Sequence, residues 1–160
     1  MARIKKHPGK KPVYKKGNII PAQWVHEDYL DYWLRDFARS MQCQSILNVC
    51  SGYSTFGNVR VDISPESNRT FEGDMFKLLE YFPPNSFDLV YCDPDYKNYT
   101  DPNILQLYRN SWQYDLMKIA KKILITKRPK VNINMPSKWH DYVIAEDSRP
   151  SFSVLRIDYK

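Results

Sequence analysis

The sequence lacks a long apolar run, a close pair of cysteines and any acidic residue in its first 17 positions. No segment approaches the ~20 apolar residues that span a bilayer, so the sequence predicts no membrane span. No apolar segment follows the positive charges at the start, as one would in a secretory signal, so we expect a cytoplasmic protein. The three cysteines form no C-x-x-C pair and have no metal-ligand spacing with the three histidines, which argues against a metal site.

Positive charge is concentrated in residues 1–17, which carry seven basic side chains. Since the whole chain carries +6, the remainder is close to neutral. Proline and glycine interrupt the segment and almost nothing in it is apolar, which predicts an unstructured arm. A basic arm binds phosphate backbones through counterion release, so we predict a nucleic-acid partner; a merely solubilising tail is the alternative. The lysines concerned are Lys5, Lys6, Lys10, Lys11, Lys15 and Lys16.

The rest of the chain, residues 18–160, has the length of one domain and shows no internal repeat. Apolar residues at three- and four-residue spacing predict helices over 21–43 and 103–120. Short apolar segments bounded by turn residues predict strands, and a brief helix precedes the fourth of them. The predicted strands are 45–50, 58–63, 69–72, 87–92, 122–126, 141–145 and 153–159, and the brief helix is 75–81.

The connections after the first two predicted strands are about seven residues long, too short for ordinary crossover helices. The last two strands read as a hairpin that closes the sheet. We therefore predict a three-layer α/β domain with a mostly parallel seven-stranded sheet, a C-terminal antiparallel hairpin and reduced helices after strands 1 and 2. One thinly covered side of such a sheet favours a homodimer or a partner protein.

The tetrapeptide Asp93-Pro94-Asp95-Tyr96 directly follows the fourth predicted strand, which is apolar. It places a carboxylate, a rigid turn and an aromatic ring at the carboxyl end of a strand, where ligands of open α/β sheets bind. The carboxylate can accept a hydrogen bond from an amino group, and the ring can stack on a planar base. This favours a cofactor-dependent enzyme, although Asp-Pro-Asp is also good turn chemistry.

Two earlier segments, 46–52 and 59–64, also place polar or turn-forming residues at the carboxyl end of a predicted strand. This succession resembles the class I S-adenosylmethionine-dependent methyltransferases, and more narrowly the amino-methylating branch with its [D/N/S]-P-P-[Y/F/W] signature. The resemblance runs from about Ile19 to Lys160 and includes the family's final antiparallel strand pair, which separates this fold from the dinucleotide-binding one. It implies a Rossmann-like methyltransferase fold and S-adenosylmethionine as cofactor.

The resemblance assigns the turn after strand 1 to the methionine part of the cofactor. The family has an acidic-x-Gly-x-Gly turn there, and this chain has Asn48, Cys50, Ser51 and Gly52 in the segment. Gly52 fits because a residue without Cβ lets a ligand approach the backbone. Asn48 replaces the usual acid and Cys50 stands where glycine is commoner.

Two further acids are cofactor-binding candidates by the same resemblance. Asp62, followed by Ile63, ends strand 2, and an acid there accepts from both ribose hydroxyls. Asp74, followed by Met75, is placed to accept from the adenine amino group while its neighbour packs on the ring. A turn role for Asp62 and a helix N-cap role for Asp74 are the alternatives.

The tetrapeptide carries the catalytic prediction. Asp93, which also borders the cofactor site, and the Pro94 carbonyl would accept from an exocyclic amine and aim its lone pair at the methyl group. Tyr96 would stack on a base that is swung out of its helix or already single-stranded. Asp95 replaces the family's second proline, which alters loop rigidity, adds a second acceptor or indicates a substrate other than adenine.

These residues predict methyl transfer to an amino nitrogen, most plausibly of a nucleobase in DNA or RNA. Lys127 and Arg128 follow strand 5 at the same edge and are candidates to hold phosphates. A non-catalytic nucleic-acid-binding or scaffold protein is the rival, motivated by Asn48, Cys50 and Asp95. A third alternative keeps the enzyme and changes the acceptor to a protein amide or small molecule.

The last prediction concerns which bases of a nucleic acid the protein would methylate. The stretch 97–102 is short and polar, and no segment remains that could read several base edges in a major groove. We therefore predict low intrinsic sequence specificity, a preference for exposed bases, or dependence on a partner.

Overall fold

The computed structural model describes residues 18–20, 27–94, 111–128, 139–146 and 152–160. The predicted basic arm, Asp95, Tyr96 and the stretch 97–102 lie outside the described residues. Within the described ranges, no helix has the length and apolar character needed to cross a membrane.

The described residues form one eight-stranded sheet with three helices. The strands are β1 (Asn18–Ile20), β2 (Ile46–Val49), β3 (Val59–Asp62), β4 (Phe71–Glu72), β5 (Phe87–Cys92), β6 (Ala120–Arg128), β7 (Trp139–Glu146) and β8 (Phe152–Tyr159). The helices are α1 (Glu27–Ser40), α2 (Leu78–Tyr81, preceded by a 3-10 turn over Met75–Lys77) and α3 (Ser111–Ile119).

The strand order is β1-β7-β8-β6-β5-β2-β3-β4. Strands β4, β3, β2, β5 and β6 are mutually parallel, and β8 lies antiparallel between β6 and β7. The predicted mostly parallel sheet with a C-terminal antiparallel hairpin is therefore confirmed. The structure adds one strand that the sequence did not predict, since β1 pairs parallel with β7 at the sheet edge.

Helix α1 covers one face of the sheet through an apolar stripe. Its buried side chains recur at positions i, i+3, i+4, i+7 and i+8, the spacing that places residues on one side of a helix. They are Leu30, Trp33, Leu34, Phe37 and Ala38, and they pack on Leu89, Tyr91, Ile123, Ile125, Leu155 and Ile157 of the sheet. Helices α2 and α3 cover the opposite face, with Leu78, Trp112, Leu116 and Ile119 against Leu47, Val90 and Leu124.

The end of α1 is closed by a backbone motif that normally uses glycine. Gln42 has a positive φ of 56°, and its amide donates to the carbonyl of Arg39 at 3.1 Å. The amide of Cys43 donates to the carbonyl of Ala38 at 2.8 Å. These two bonds satisfy helix-terminal carbonyls and turn the chain toward β2.

The connections 50–58 and 63–70 join parallel strands without a helix, as the sequence predicted. Because β2 has only four residues, roughly 13 Å of extended chain, a connection of this length can return to the start of the next strand. Phe56 from the first connection is buried and packs edge-on against Tyr91, with ring centroids 6.0 Å apart. One aromatic side chain thus fills space that a crossover helix would cover.

Asp88 on β5 fixes the segment that enters β2. Its Oδ2 accepts hydrogen bonds from the backbone amides of Gln44 (2.9 Å) and Ser45 (3.3 Å). The Ser45 hydroxyl in turn accepts from the Asp88 amide at 2.8 Å. The hydrogen bond from the Gln44 amide is the main cause that lowers the pKa of Asp88 below its usual value. The pairing aligns β2 beside β5, where the site is built.

This contact predicts a pH-dependent loss of stability. Because the folded pKa of Asp88 lies below its unfolded value, its stabilising contribution is complete above the unfolded pKa and is lost as the pH falls through the folded pKa. We expect Asp88→Asn to lower the free energy of unfolding by about 1 kcal/mol near neutral pH, and by progressively less below about pH 4. Urea unfolding of both proteins across this range measures the effect, and a pH-independent difference would contradict it.

Candidate functional site

The carboxyl ends of the parallel strands meet at one edge of the sheet, and backbone hydrogen bonds join the segments that follow them. These bonds run from the amide of Asp93 to the carbonyl of Val49 (3.2 Å), from Ser51 to Val61 (3.2 Å) and from Gly73 to Asp62 (3.3 Å). The structure therefore brings together the four sequence segments that carry the predicted cofactor and catalytic residues. Ligands of open α/β sheets bind at this edge.

The turn after β2 has the backbone of a glycine turn. Cys50 and Gly52 have φ angles of 57° and 52°, in the left-handed region that favours glycine. These are the two positions at which the resembled motif carries glycine, so Cys50 preserves the conformation although it changes the residue. A Cβ built at Gly52 would meet nothing within 4 Å, so open space lies beside this backbone. The sulfur of Cys50 lies 3.5 Å from that of Met75, which brings two predicted cofactor segments into contact.

Asp62 has the turn role that the sequence allowed it. Its Oδ2 accepts from the Gly52 amide and its Oδ1 from the Ser64 amide, both at 2.8 Å. The carboxylate thus fixes two turns at the site edge. Each oxygen has a second lone pair, so Asp62 retains the capacity to accept from a pair of hydroxyls. The adjacent Ile63 is 70% exposed and presents an apolar surface beside it.

Asn48 lies beneath the site and does not line its surface. Its side chain is fully buried, and Nδ2 donates to the Phe56 carbonyl (3.0 Å) and the Ser54 hydroxyl (3.2 Å). The Ser54 hydroxyl donates to Asp31 Oδ1 (2.7 Å), and Asp31 Oδ2 accepts from the Thr55 amide (3.2 Å). The amide at position 48 is therefore the donor that ties the loop to α1, and an acid there could not make these two bonds while ionised.

The Asp31–Ser54 contact was missed by sequence reasoning. Both residues lie in segments whose pattern indicates only a helix surface and a loop. Asn48 is the sequence signal that could have revealed them. A buried amide donor needs acceptors, and the nearest polar residues follow Asn48 in the loop.

Asp74 has the capping role that the sequence left open. Its Oδ1 accepts from the Phe76 amide at 2.9 Å, at the start of the 3-10 turn. The bond from the Gly73 amide places this cap beside Asp62.

The hydroxyl oxygen of Ser51 is buried and has no hydrogen-bond partner among the described residues. An unsatisfied buried hydroxyl and the open space at Gly52 both fit a ligand held against this turn.

Asp93 forms an ion pair that the sequence did not predict. Lys127 Nζ, at the end of β6, lies 3.6 Å from Asp93 Oδ2. The two side chains are 21% and 37% exposed, respectively, so water reaches both. A pair of this kind contributes about 0–1 kcal/mol, so a ligand can displace it readily. Pro94, the second predicted catalytic residue, is buried, whereas the side chain of Arg128 lies outside the described part of the chain.

Comparison with protein-family models and with curated proteins gives no match. Among solved structures, one of WbdD is 9% identical with a TM-score of 0.54, and the match covers 86% of this chain. This chain spans about a third of that protein, since 34% of WbdD is covered. A SAM dependent methyltransferase from Aquifex aeolicus is 13% identical over 71% of this chain and 81% of its own, with a TM-score of 0.41.

The likeness to WbdD is one of fold, and the sheet topology specifies it further. An antiparallel β8 between β6 and β7 is the strand pair that distinguishes methyltransferase folds from dinucleotide-binding ones. The protein therefore has a Rossmann-like methyltransferase fold.

Proposed function

We propose that this protein transfers the methyl group of S-adenosylmethionine to an amino nitrogen, most plausibly on a nucleobase in DNA or RNA. The observation that carries the proposal is the glycine-like turn at Cys50–Gly52, bonded to Asp62 and lying beside the Asp93 segment. The surface that we assign to the cofactor and the carboxylate that we assign to the acceptor would thus share one sheet edge.

Each residue has a role that its geometry permits. The open backbone at Gly52 would receive the methionine part, Asp62 the ribose hydroxyls, and Ile63 one face of the adenine. The bound cofactor supplies an electrophilic methyl group. Asp93 and the Pro94 carbonyl would hold the acceptor amine so that its lone pair points at that group.

The step balances without another reactant. The nitrogen lone pair forms the new N–C bond while the C–S bond breaks, and sulfur keeps the bonding electrons. The nitrogen is then positively charged and returns to neutrality by losing a proton to water or to the Asp93 carboxylate.

The nucleic-acid acceptor rests on charge. The arm of residues 1–17 carries seven basic side chains and no acid, and Lys127 and Arg128 add positive charge at the site edge. Affinity for nucleic acid should therefore fall steeply with salt, with little dependence on sequence.

Calorimetry with S-adenosylmethionine and with its demethylated product tests the cofactor assignment. We expect saturable binding that Asp62→Ala weakens roughly tenfold or more, because two charge-assisted hydrogen bonds to the ribose are lost. Asp36→Ala is the matched control, since Asp36 is half-exposed on α1 and pairs only with Arg39 among the described residues. No saturable binding at millimolar cofactor would refute the proposal. Binding without methyl incorporation into any nucleic acid would support the non-catalytic rival.

A further inference from the structure

The ion pair between Lys127 and Asp93 faces the position at which the proposed reaction creates positive charge. Asp93 would accept from the amine, and the nitrogen becomes positive as the methyl group arrives. An ammonium 3.6 Å from the same carboxylate opposes that charge and competes for the same oxygen. Lys127 would therefore slow methyl transfer if it stayed paired with Asp93 in the reacting complex.

The geometry permits Lys127 to leave. The 3.6 Å between Lys127 Nζ and Asp93 Oδ2 exceeds the 2.7–3.2 Å of a good hydrogen bond, and both side chains are partly exposed. Both residues lie at the ends of adjacent parallel strands, whose register pairs Cys92 with Thr126 one position earlier. A rotation of the flexible lysine side chain is sufficient, and no backbone movement is required.

We propose that Lys127 covers Asp93 in the absence of acceptor and transfers to a backbone phosphate of the acceptor strand when a base enters. Asp93 Oδ2 then exchanges the ammonium of Lys127 for the acceptor amine, so the site selects amino groups carried by nucleotides. This inference rests on the proposed function and adds a selection step to it. A phosphate is favoured over a protein carboxylate as the receiving group because the seven basic side chains of residues 1–17 give the protein an affinity for polyanions.

A binding experiment tests the exchange independently of turnover. The probes are thymine-only single strands with one central adenine or cytosine, so that a single base carries an exocyclic amine. In each probe, one of the phosphates flanking that base is replaced by a neutral methylphosphonate. With the demethylated cofactor product present, we expect the neutral linkage at one of the two positions to weaken binding to the wild-type protein about tenfold.

The same substitution should not weaken binding to Lys127→Gln, and Lys127→Arg should behave as wild type. Lys118→Gln is the matched control, because Lys118 also pairs with an aspartate (Asp115, 3.8 Å) but lies next to the opposite end of β6. Equal losses in wild type and Lys127→Gln at both linkages would overturn the proposal.

A turnover experiment separates exchange from simple positioning. If Lys127 gates Asp93, Lys127→Gln lowers kcat/KM on the oligonucleotide but raises it several-fold on the free nucleoside. If Lys127 only holds Asp93 in place, the variant lowers kcat on both substrates and Lys127→Arg restores it, which would overturn the gating. Charge-dependent binding with no methyl incorporation by wild type would refute the proposed function and leave the phosphate contact established.

Discussion

Replacing Asp93 with alanine is expected to abolish methyl transfer while leaving affinity for S-adenosylmethionine within about twofold. Asp93 lies at the end of β5 and its amide is fixed to β2 by a 3.2 Å hydrogen bond to Val49. The side chain can therefore aim an acceptor amine without forming the cofactor surface at Gly52 and Asp62. Losing that orientation should cost roughly 100-fold or more in kcat. Incorporation of labelled methyl groups, together with calorimetry on the same samples, measures both quantities.

A second substitution guards against an indirect effect through Lys127, which loses its partner in Asp93→Ala. If an unpaired lysine blocked the site, Asp93→Ala combined with Lys127→Gln would regain turnover. We expect the double variant to stay inactive. Full turnover by Asp93→Ala alone would show that the assigned mechanism is wrong.

The sheet could be predicted from sequence because apolar runs and turn residues bound most strands clearly. The strand over 87–92 was predicted with its observed bounds, since six consecutive positions separate Ser86 from the Asp93 turn. Strand β1 was missed because three residues are too few to show a periodicity. Strand β6 extends to Arg128, beyond its predicted end, because pairing with β8 continues through Lys127 and Arg128 although their charges resemble a loop.

The site was predictable to the extent that strand ends determine it. Cys50, Gly52, Asp62 and Asp93 were assigned to one edge from sequence, and backbone hydrogen bonds link the segments that contain them. Side-chain partners were not predictable in the same way. The contact of Lys127 with Asp93 depends on rotamers as well as on strand order.

In the C-terminal hairpin, the sequence pattern does not predict burial correctly. The alternating pattern of β8 would ordinarily place Arg156 and Asp158 on a solvent-exposed face. Leu155 and Ile157 do pack beneath α1, yet the alternate side chains are 1% and 0% exposed on the other face of the sheet. Arg156 Nε donates to both Asp158 oxygens, at 2.9 and 3.1 Å. Nη1 donates to the Tyr142 hydroxyl at 3.0 Å. Two opposite charges are thus buried as an ion pair.

Arg156→Met is therefore expected to lower the free energy of unfolding by about 3–5 kcal/mol, since it removes the guanidinium that pairs with the buried Asp158 carboxylate. That is a large share of the ~5–15 kcal/mol that holds a typical domain folded. Arg156→Met combined with Asp158→Leu should recover most of the loss, because apolar side chains can replace a buried pair with little cost. Urea unfolding near neutral pH measures all three proteins.

Arg39→Met is the matched control for the loss of an arginine from an ion pair. Arg39 and its partner Asp36 are 81% and 50% exposed, so this change should alter the free energy of unfolding by less than about 1 kcal/mol. If Arg156→Met were as mild as Arg39→Met, the carboxylate of Asp158 would have to be protonated or reached by water once the arginine is gone. If the double variant stayed as unstable as Arg156→Met alone, packing by the guanidinium against Tyr142, and not charge neutralisation, would be its main contribution.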